Sequence, residues 1–386
     1  MSLRLRIALA LGLAAAACKD KTQPPAPPAA AAADTILVGE VGSMTGQEAT
    51  FGTSSDRGIR LALADLNAAG GVKGKKLVVK ALDDEGKPEE AATAATKLVN
   101  ADHVVALLGE VASTRSLFMA DVAQRSQVPM VSPSSTNPKV TEKGDYIFRV
   151  CFIDPFQGEV MAKFARGTLK FDKVAILRDV RNDYSVGLAN YFAETFKKLG
   201  GTIVGDESYS AGDVDFRAQL TKLKQTAAQG ILVPGYYTDV ALIARQSREL
   251  GMAQVLLGGD GWDSPKLYEM GGAALDGAYF SNHYSMDDPS PRVARFIADY
   301  KKAYGGELPD SLAAQAYDAA GVLADAMKRA ADLSGPAIRD ALAQTKAYAG
   351  VTGDISIDEK RNARKPAVVL KIVPGGKYQF IEKINP

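Results

Sequence analysis

The sequence is poor in the residues that enzymes most often use for chemistry. Its 386 residues include two histidines, His103 and His283, and two cysteines, Cys18 and Cys151. That inventory is too small for a zinc site of the usual His/Cys kind. A serine nucleophile needs a base within hydrogen-bond reach, usually histidine. His103 falls in an apolar strand pattern, HVVALLGE (103–110), where it reads as a packed or edge residue, and His283 stands alone near a strand end. There is no GxSxG elbow and no GxxxxGK[ST] phosphate loop, and Gly39, Gly42 and Gly46 do not make a GxGxxG after the first strand. Asp83-Asp84-Glu85 reads as a solvated loop at a strand end rather than a cation site. These absences argue against catalysis, and no cofactor or metal is expected. A net charge of +1, with both signs spread along the chain, gives no electrostatic footprint for nucleic acid.

The first residues read as an export signal. Arg4 and Arg6 precede an apolar run from Ile7 to Ala17 that is too short to span a bilayer as a stable helix. The run ends Ala15-Ala16-Ala17-Cys18, which resembles a bacterial lipobox with Ala15 in place of the usual leucine. Residues 1–18 are therefore expected to be a signal peptide with Cys18 as the lipidation site, or else a signal cut at an Ala-x-Ala site. Residues 19–33, KDKTQPPAPPAAAAA, contain proline and alanine with almost nothing to build a core, and read as an extended tether. With Cys18 acylated, Cys151 in FRVCF has no disulfide partner and reads as a small buried hydrophobe.

From Asp34 onward, strand patterns alternate with amphipathic helices. ILVGEV (36–41) is followed by a helix with Ile59, Ala62, Leu63 and Leu66 on one face, for which Ser54 or Ser55 is a candidate cap and Gly70-Gly71 a stop. KLVVKAL (76–82), a helix from Pro88 and the apolar run 103–110 continue the series. Such βαβα order predicts parallel strands joined by right-handed crossovers and covered by helices on both faces. The pattern restarts at KVAILRD (173–179) and runs through TIVGDESY, GILVPG and QVLLGGD with helices between. Two α/β series of similar size suggest two lobes. Helices are expected near 290–304, 311–330 and 335–347, and the chain closes on a hairpin that turns at Pro374-Gly375-Gly376.

In open α/β sheets ligands sit beyond the carboxyl ends of strands. In the first series those ends are followed by GSMTGQEATFG, by VAST (111–114) and, within MVSPSSTNP (130–138), by SPSST. Hydroxyls and free helix amides suit an anion. In the second series they are followed by RDVRNDYSVG, PGYYTD and GGDGWDS, which supply Tyr184, Tyr236, Tyr237 and Asp260. Those suit a cation with an aromatic fringe. An anion site facing a cation site describes a zwitterion, such as a free amino acid.

GSMTG, LADLNAAGGVKGKKL, LDDEGKPEEAATAATKLV, SPSSTNPKVT, FRVCFIDPFQG, DVDFRAQLTKLK, GGDGWDSP and AYDAAGVLADAM, in this order between about 35 and 380, resemble the leucine/isoleucine/valine-binding proteins that serve branched-chain amino acid ABC transporters. The resemblance implies a type I periplasmic binding fold of two Rossmann-like lobes joined by three crossings, near 152–154, 281–283 and 350–353. The lobes would be 34–152 plus 283–351 and 153–282 plus 352–386. It implies that Ser113 binds the ligand carboxylate. Thr136 would bond the carboxylate or the ammonium, and the Ser134 carbonyl would be offered to the ammonium. Tyr184 and Tyr236 would close from the second lobe, with Asp260 as the ammonium's acidic partner and Phe51 as an aromatic wall. A disulfide common near this pocket in relatives is replaced by Gly86 and Ala112. The implied partners are a free amino acid and a membrane permease, with the protein acting as a monomer. Its expected location is the periplasm, with a lipid anchor at Cys18.

Overall fold

The computed structural model describes residues 34–386; the expected signal segment 1–18, Cys18 and the tether 19–33 lie outside the described residues. A five-stranded sheet takes β1 (Thr35–Gly42), β2 (Lys76–Asp83), β3 (Leu107–Gly109), β4 (Met130–Ser132) and β5 (Ile147–Arg149) in the order β2-β1-β3-β4-β5, every pair parallel. Its connections carry helices α1 (Ala49–Ala68), α2 (Pro88–Asn100), α3 (Ser113–Arg125) and α4 (Lys139–Glu142). The three short strands β3, β4 and β5 are buried throughout, although β5 lies at the sheet's edge.

The second sheet begins after α5 (Asp154–Lys163). It contains β6 (Lys173–Asp179), β7 (Thr202–Tyr209), β8 (Gly230–Leu232), β9 (Val255–Gly258) and β10 (Tyr279–Asn282). Between them run α6 (Asp183–Lys198), α7 (Arg217–Lys224), α8 (Tyr237–Glu249) and α9 (Pro265–Gly271). After β10 the chain returns to the first sheet's layer. There α10 (Pro291–Ala303), α11 (Ser311–Arg329) and α12 (Gly335–Ala343) precede a small antiparallel sheet of β11 (Tyr348–Gly350), β12 (Gly353–Ile357) and β13 (Ala363–Arg364). A hairpin, β14 (Ala367–Val373) with β15 (Lys377–Ile384), then adds antiparallel to β10, which gives the order β15-β14-β10-β9-β8-β6-β7. Gly375 and Gly376 turn this hairpin with φ of 88° and 76°, in the left-handed region that glycine enters without strain.

Three local expectations are corrected. Ser54 and Ser55 do not cap α1, which already starts at Ala49; its early amide at Thr50 finds a tertiary acceptor in the Tyr237 hydroxyl, at 3.4 Å. The strand expected over 103–110 contracts to Leu107–Gly109, and His103 is exposed in a turn with φ of 53° rather than packed. The chain does not leave the first sheet's layer at 350–353. Ile355, Ile357 and Ala363 share a buried cluster with Ile36, Val38 and Leu323, and the second sheet is joined only at Ala367. Buried polar bonds hold that stretch in place. Asp318 of α11 accepts the amides of Val351 and Thr352 at 2.7 and 2.8 Å, and the buried Lys365 ammonium donates to the Thr352 hydroxyl.

Candidate ligand-binding site

Each sheet has a switch point where successive strands move to opposite sides, between β1 and β3 in the first and between β6 and β8 in the second. Loops splay apart at such points and leave a crevice. Here the two crevices face one another around a small cavity lined by Phe51, Val111, Ser113, Ser134, Thr136, Tyr184, Tyr236, Asp260, Gly261 and Leu312. Phe51, Ser113, Ser134, Thr136, Tyr184, Tyr236 and Asp260 therefore meet at one place, and every lining residue is buried. A wider groove of about 940 Å³ between α1, α10 and α11 is lined from the first sheet's layer alone and draws no polar groups from the second sheet.

On the first-sheet side the hydroxyls at the end of β4 and in the loop after it divide into two pairs. Ser132 Oγ donates to the Glu110 carbonyl at 2.7 Å, and Ser135 Oγ donates to the Val111 carbonyl at 2.8 Å, so these two fasten the loop to its neighbour. Ser134 and Thr136, the other pair, line the cavity. The fully buried Arg149 guanidinium grips the loop from behind by donating to the carbonyls of Ser135 and of Asn137, the latter at 2.8 Å. Ser113 opens α3, where unpaired amides and the helix dipole favour an anion. Its hydroxyl oxygen accepts the Asn137 amide at 3.2 Å, which leaves its own proton free to be donated. The Thr136 hydroxyl has no partner among the described residues.

On the second-sheet side Tyr184 lies in the first turn of α6, capped by Asn182, and Tyr236 immediately precedes α8. Their rings stack at 5.5 Å with an 11° interplanar angle. The Tyr184 hydroxyl accepts the Gly261 amide at 3.2 Å, so its proton too remains available. The loop carrying Asp260 passes directly beneath these rings. A Cβ on Gly259 would stand 2.4 Å from the Tyr184 hydroxyl oxygen, and one on Gly261 would stand 2.9 Å from the Gly235 carbonyl. Glycine at both positions is what lets the carboxylate reach the cavity.

Asp260 has protein partners as well as the cavity. Gln157 Nε2 donates to Oδ1 at 2.7 Å, and His283 Nε2 lies 3.0 Å from Oδ2. Burial pushes the His283 imidazole down to about 4, so the neutral ring donates its Nε2 proton to the carboxylate. The ring is held flat against Phe152, 3.6 Å between centroids. His283 is thus not isolated; it orients Asp260. Nothing in the sequence pairs His283 or Gln157 with an aspartate so far along the chain, and the lining residues Val111 and Leu312 carry no signal beyond being apolar. Cys151 is fully buried, donates weakly to the Ser135 carbonyl, and its thiol is pushed up to about 12 by burial.

Contacts between the two sides close the mouth. Phe51 meets Tyr236 edge-on at 5.2 Å and Tyr237 at 5.4 Å. Tyr237, expected in the aromatic fringe, is not a lining residue and instead donates its hydroxyl to the Gln47 carbonyl at 2.9 Å. Asn137 Nδ2 donates to the Asp183 carbonyl at 2.7 Å. None of the lining residues is basic.

A fold and cleft of this kind define a periplasmic binding protein. The chain matches the family model described as periplasmic binding protein over residues 35–377 and belongs to that family, within its leucine/isoleucine/valine-binding branch. It is 32% identical over 355 residues to Leu/Ile/Val-binding protein homolog 3 of Brucella melitensis, covering 91% of this chain and 95% of the relative. A leucine-binding protein of Thermotoga maritima superposes with a TM-score of 0.87 at 40% identity, over 91% of this chain and 99% of that one. A branched-chain amino acid transporter substrate-binding protein of Streptococcus pneumoniae, solved with isoleucine, gives 0.86 at 35% identity, over 91% and 100%.

Proposed function

We propose that this protein captures a free amino acid with an aliphatic side chain of the leucine type between two closing lobes and delivers it to an ABC permease in the membrane. The observation that carries this reading is a single small cavity with hydroxyls and a helix N-terminus on one side, a carboxylate under two tyrosines on the other, and no basic lining residue. Ser113 and the α3 amides take the ligand carboxylate. Asp260, the Ser134 carbonyl and Thr136 take the ammonium. Phe51, Val111 and Leu312 surround the side chain, and the lack of a lining Lys or Arg disfavours a second carboxylate there. Tyr184 and Tyr236 cover the ligand.

The lobes in this reading are 34–152 plus 283–365 and 153–282 plus 366–386, hinged at the three crossings, and ligand docks on the first before the second closes. The protein acts outside the cytoplasm as a monomer, tethered by residues 19–33 to a lipid on Cys18.

Calorimetric titration of L-leucine, L-isoleucine and L-valine into protein stripped of ligand by unfolding and refolding tests the reading. Saturable binding of at least one is expected. Removing a charged partner in a desolvated site costs about 2–5 kcal/mol. Asp260→Ala should therefore weaken binding roughly 30- to 4,000-fold, and Ser113→Ala, which removes a neutral hydroxyl worth about 1.5–3 kcal/mol to a charged group, roughly 10- to 160-fold. Unchanged affinity in both variants would show that the pocket lies elsewhere.

A further inference from the structure

Asp154, the first residue of α5, is fully buried, and neither of its carboxyl oxygens has a hydrogen-bond partner among the described residues. The Thr136 hydroxyl beside it is close enough to hold the carboxyl's pKa down, yet it too lacks a well-formed hydrogen bond among the described residues, and it faces the cavity. The two residues are fastened backbone to backbone, since the Asp154 amide donates to the Thr136 carbonyl at 2.9 Å. From the other side α6 presses close. A Cβ on Gly187 would stand 3.0 Å from both Asp154 Oδ2 and Asn137 Nδ2, so the carboxyl has little freedom to turn away.

Resting on the reading of the cavity as an amino-acid site, we propose that Asp154 is the positioning residue that sets which way the Thr136 hydroxyl faces, and that capture of an ammonium-bearing ligand drives a proton off the Asp154 carboxyl. A protonated carboxyl donates to Thr136 Oγ1, and the threonine proton then points into the cavity against the ammonium donors. An ionised carboxylate accepts the threonine proton and leaves Thr136 lone pairs toward the ammonium. The charges balance: a neutral carboxyl and a ligand cation become a carboxylate beside a bound cation, and one proton goes to solvent.

The groups facing Asp154 fit a neutral resting state. Arg149 is the nearby cation; its two terminal nitrogens donate to the carbonyls of Ser135, Asn137 and Pro138 and to the Thr141 hydroxyl, while its Nε has no partner among the described residues. Asp260 repels a second negative charge, and Tyr184, Tyr191 and Cys151 nearby are neutral groups whose pKa values are all raised. Burial, with Asp260 adding to it against Thr136 and Arg149, pushes the carboxyl up to about 8. Ligand binding brings a cation to this place and reverses the balance.

The experiment is titration of stripped protein with L-leucine, L-isoleucine or L-valine at pH 7 in buffers of different ionisation enthalpy, which counts protons exchanged. The wild type should release most of one proton per ligand, and its Kd should fall roughly 25- to 50-fold between pH 6 and 8. Asp154→Asn should release none and give a flat profile with weaker binding. Thr136→Val, which removes the relay and keeps the acid, should also lose most of the release. Binding without proton release by the wild type overturns the role of Asp154 and leaves the amino-acid reading intact, as does undiminished release by Asp154→Asn. Failure of the wild type to bind any amino acid overturns both.

Discussion

Phe51 separates the energy of closure from the energy of folding. It belongs to α1, yet the rings it touches, Tyr236 and Tyr237, stand at the head of α8 on the second sheet. The buried cluster that contains it is built mostly from second-sheet residues, whereas Ile59, Ala62 and Leu63 of the same helix pack with the first. Phe51→Ala should therefore weaken the closed form and leave the first lobe's core undisturbed. Two edge contacts at about 0.5–1.5 kcal/mol each give about 1–3 kcal/mol. Burial of the ring adds about 1.5–3 kcal/mol. Even the lower sum, about 2.5 kcal/mol, corresponds to a roughly 60-fold loss of affinity. Calorimetric Kd for L-leucine or whichever aliphatic amino acid binds, read beside the melting temperature of ligand-free protein, tests this. Phe51→Leu, which restores most of the burial without the ring edges, should recover part of the loss. A lowered ligand-free melting temperature with Kd within threefold of wild type would refute the argument, because Phe51 would then be an ordinary core residue.

Two further outcomes concern stability. A Cβ on Gly58 would lie 2.1 Å from the Ala313 carbonyl oxygen of α11, a backbone atom that no rotamer change can move. Gly58→Ala should thus cost about 1–3 kcal/mol of overpacking or more, exceeding the roughly 1 kcal/mol that alanine returns in helix propensity, and a raised urea midpoint would contradict this. Burial holds Glu110, Asp239 and Asp310 up near about 7. The native state therefore binds more protons than the unfolded chain above pH 4, and stability falls as pH rises through 7. His283 acts with the opposite sign, but its contribution is lost only as pH falls from about 6.5 toward 4. From pH 6.5 to 7 the decline meets no such opposition; it is largely complete by pH 8, where Lys365, held down to about 8 by burial, acts with the opposite sign. Asp239→Asn should flatten the decline by up to about 1.4 kcal/mol per pH unit, and equal slopes for variant and wild type in urea titrations would remove Asp239 from the account.

The regular part of this fold is legible because its patterns are local. β6 occupies Lys173–Asp179, as the apolar run KVAILRD indicates, and the closing hairpin turns at its Pro-Gly-Gly. The departures arise where a distant partner overrides a local signal. The first turn of α1 forms without a side-chain cap because Tyr237, far along the chain, supplies an acceptor. HVVALLGE alternates like a strand, but its first residues close α2, with the Val104 amide donating to the Leu98 carbonyl at 3.2 Å. The segment 353–364 carries no mark of which sheet it serves; the fastening by Asp318 and Lys365 decides that.

The site divides along the same line. Residues that line the cavity lie at strand ends and helix starts; periodicity locates most of those loops, and it is the family resemblance that picks the seven residues out of them. Residues that set their orientation come from other segments and have no spacing in common: His283 and Gln157 behind Asp260, Arg149 behind the Ser135 carbonyl, and Asp154 behind Thr136. Yet they fix the polarity of the cleft. A hydroxyl such as Thr136 is donor or acceptor according to its neighbour, and Ser113 and Tyr184 each keep a proton to donate because a backbone amide occupies a lone pair of the hydroxyl oxygen. The chemistry that distinguishes a carboxylate end from an ammonium end is thus written in contacts between segments of the chain far apart in sequence.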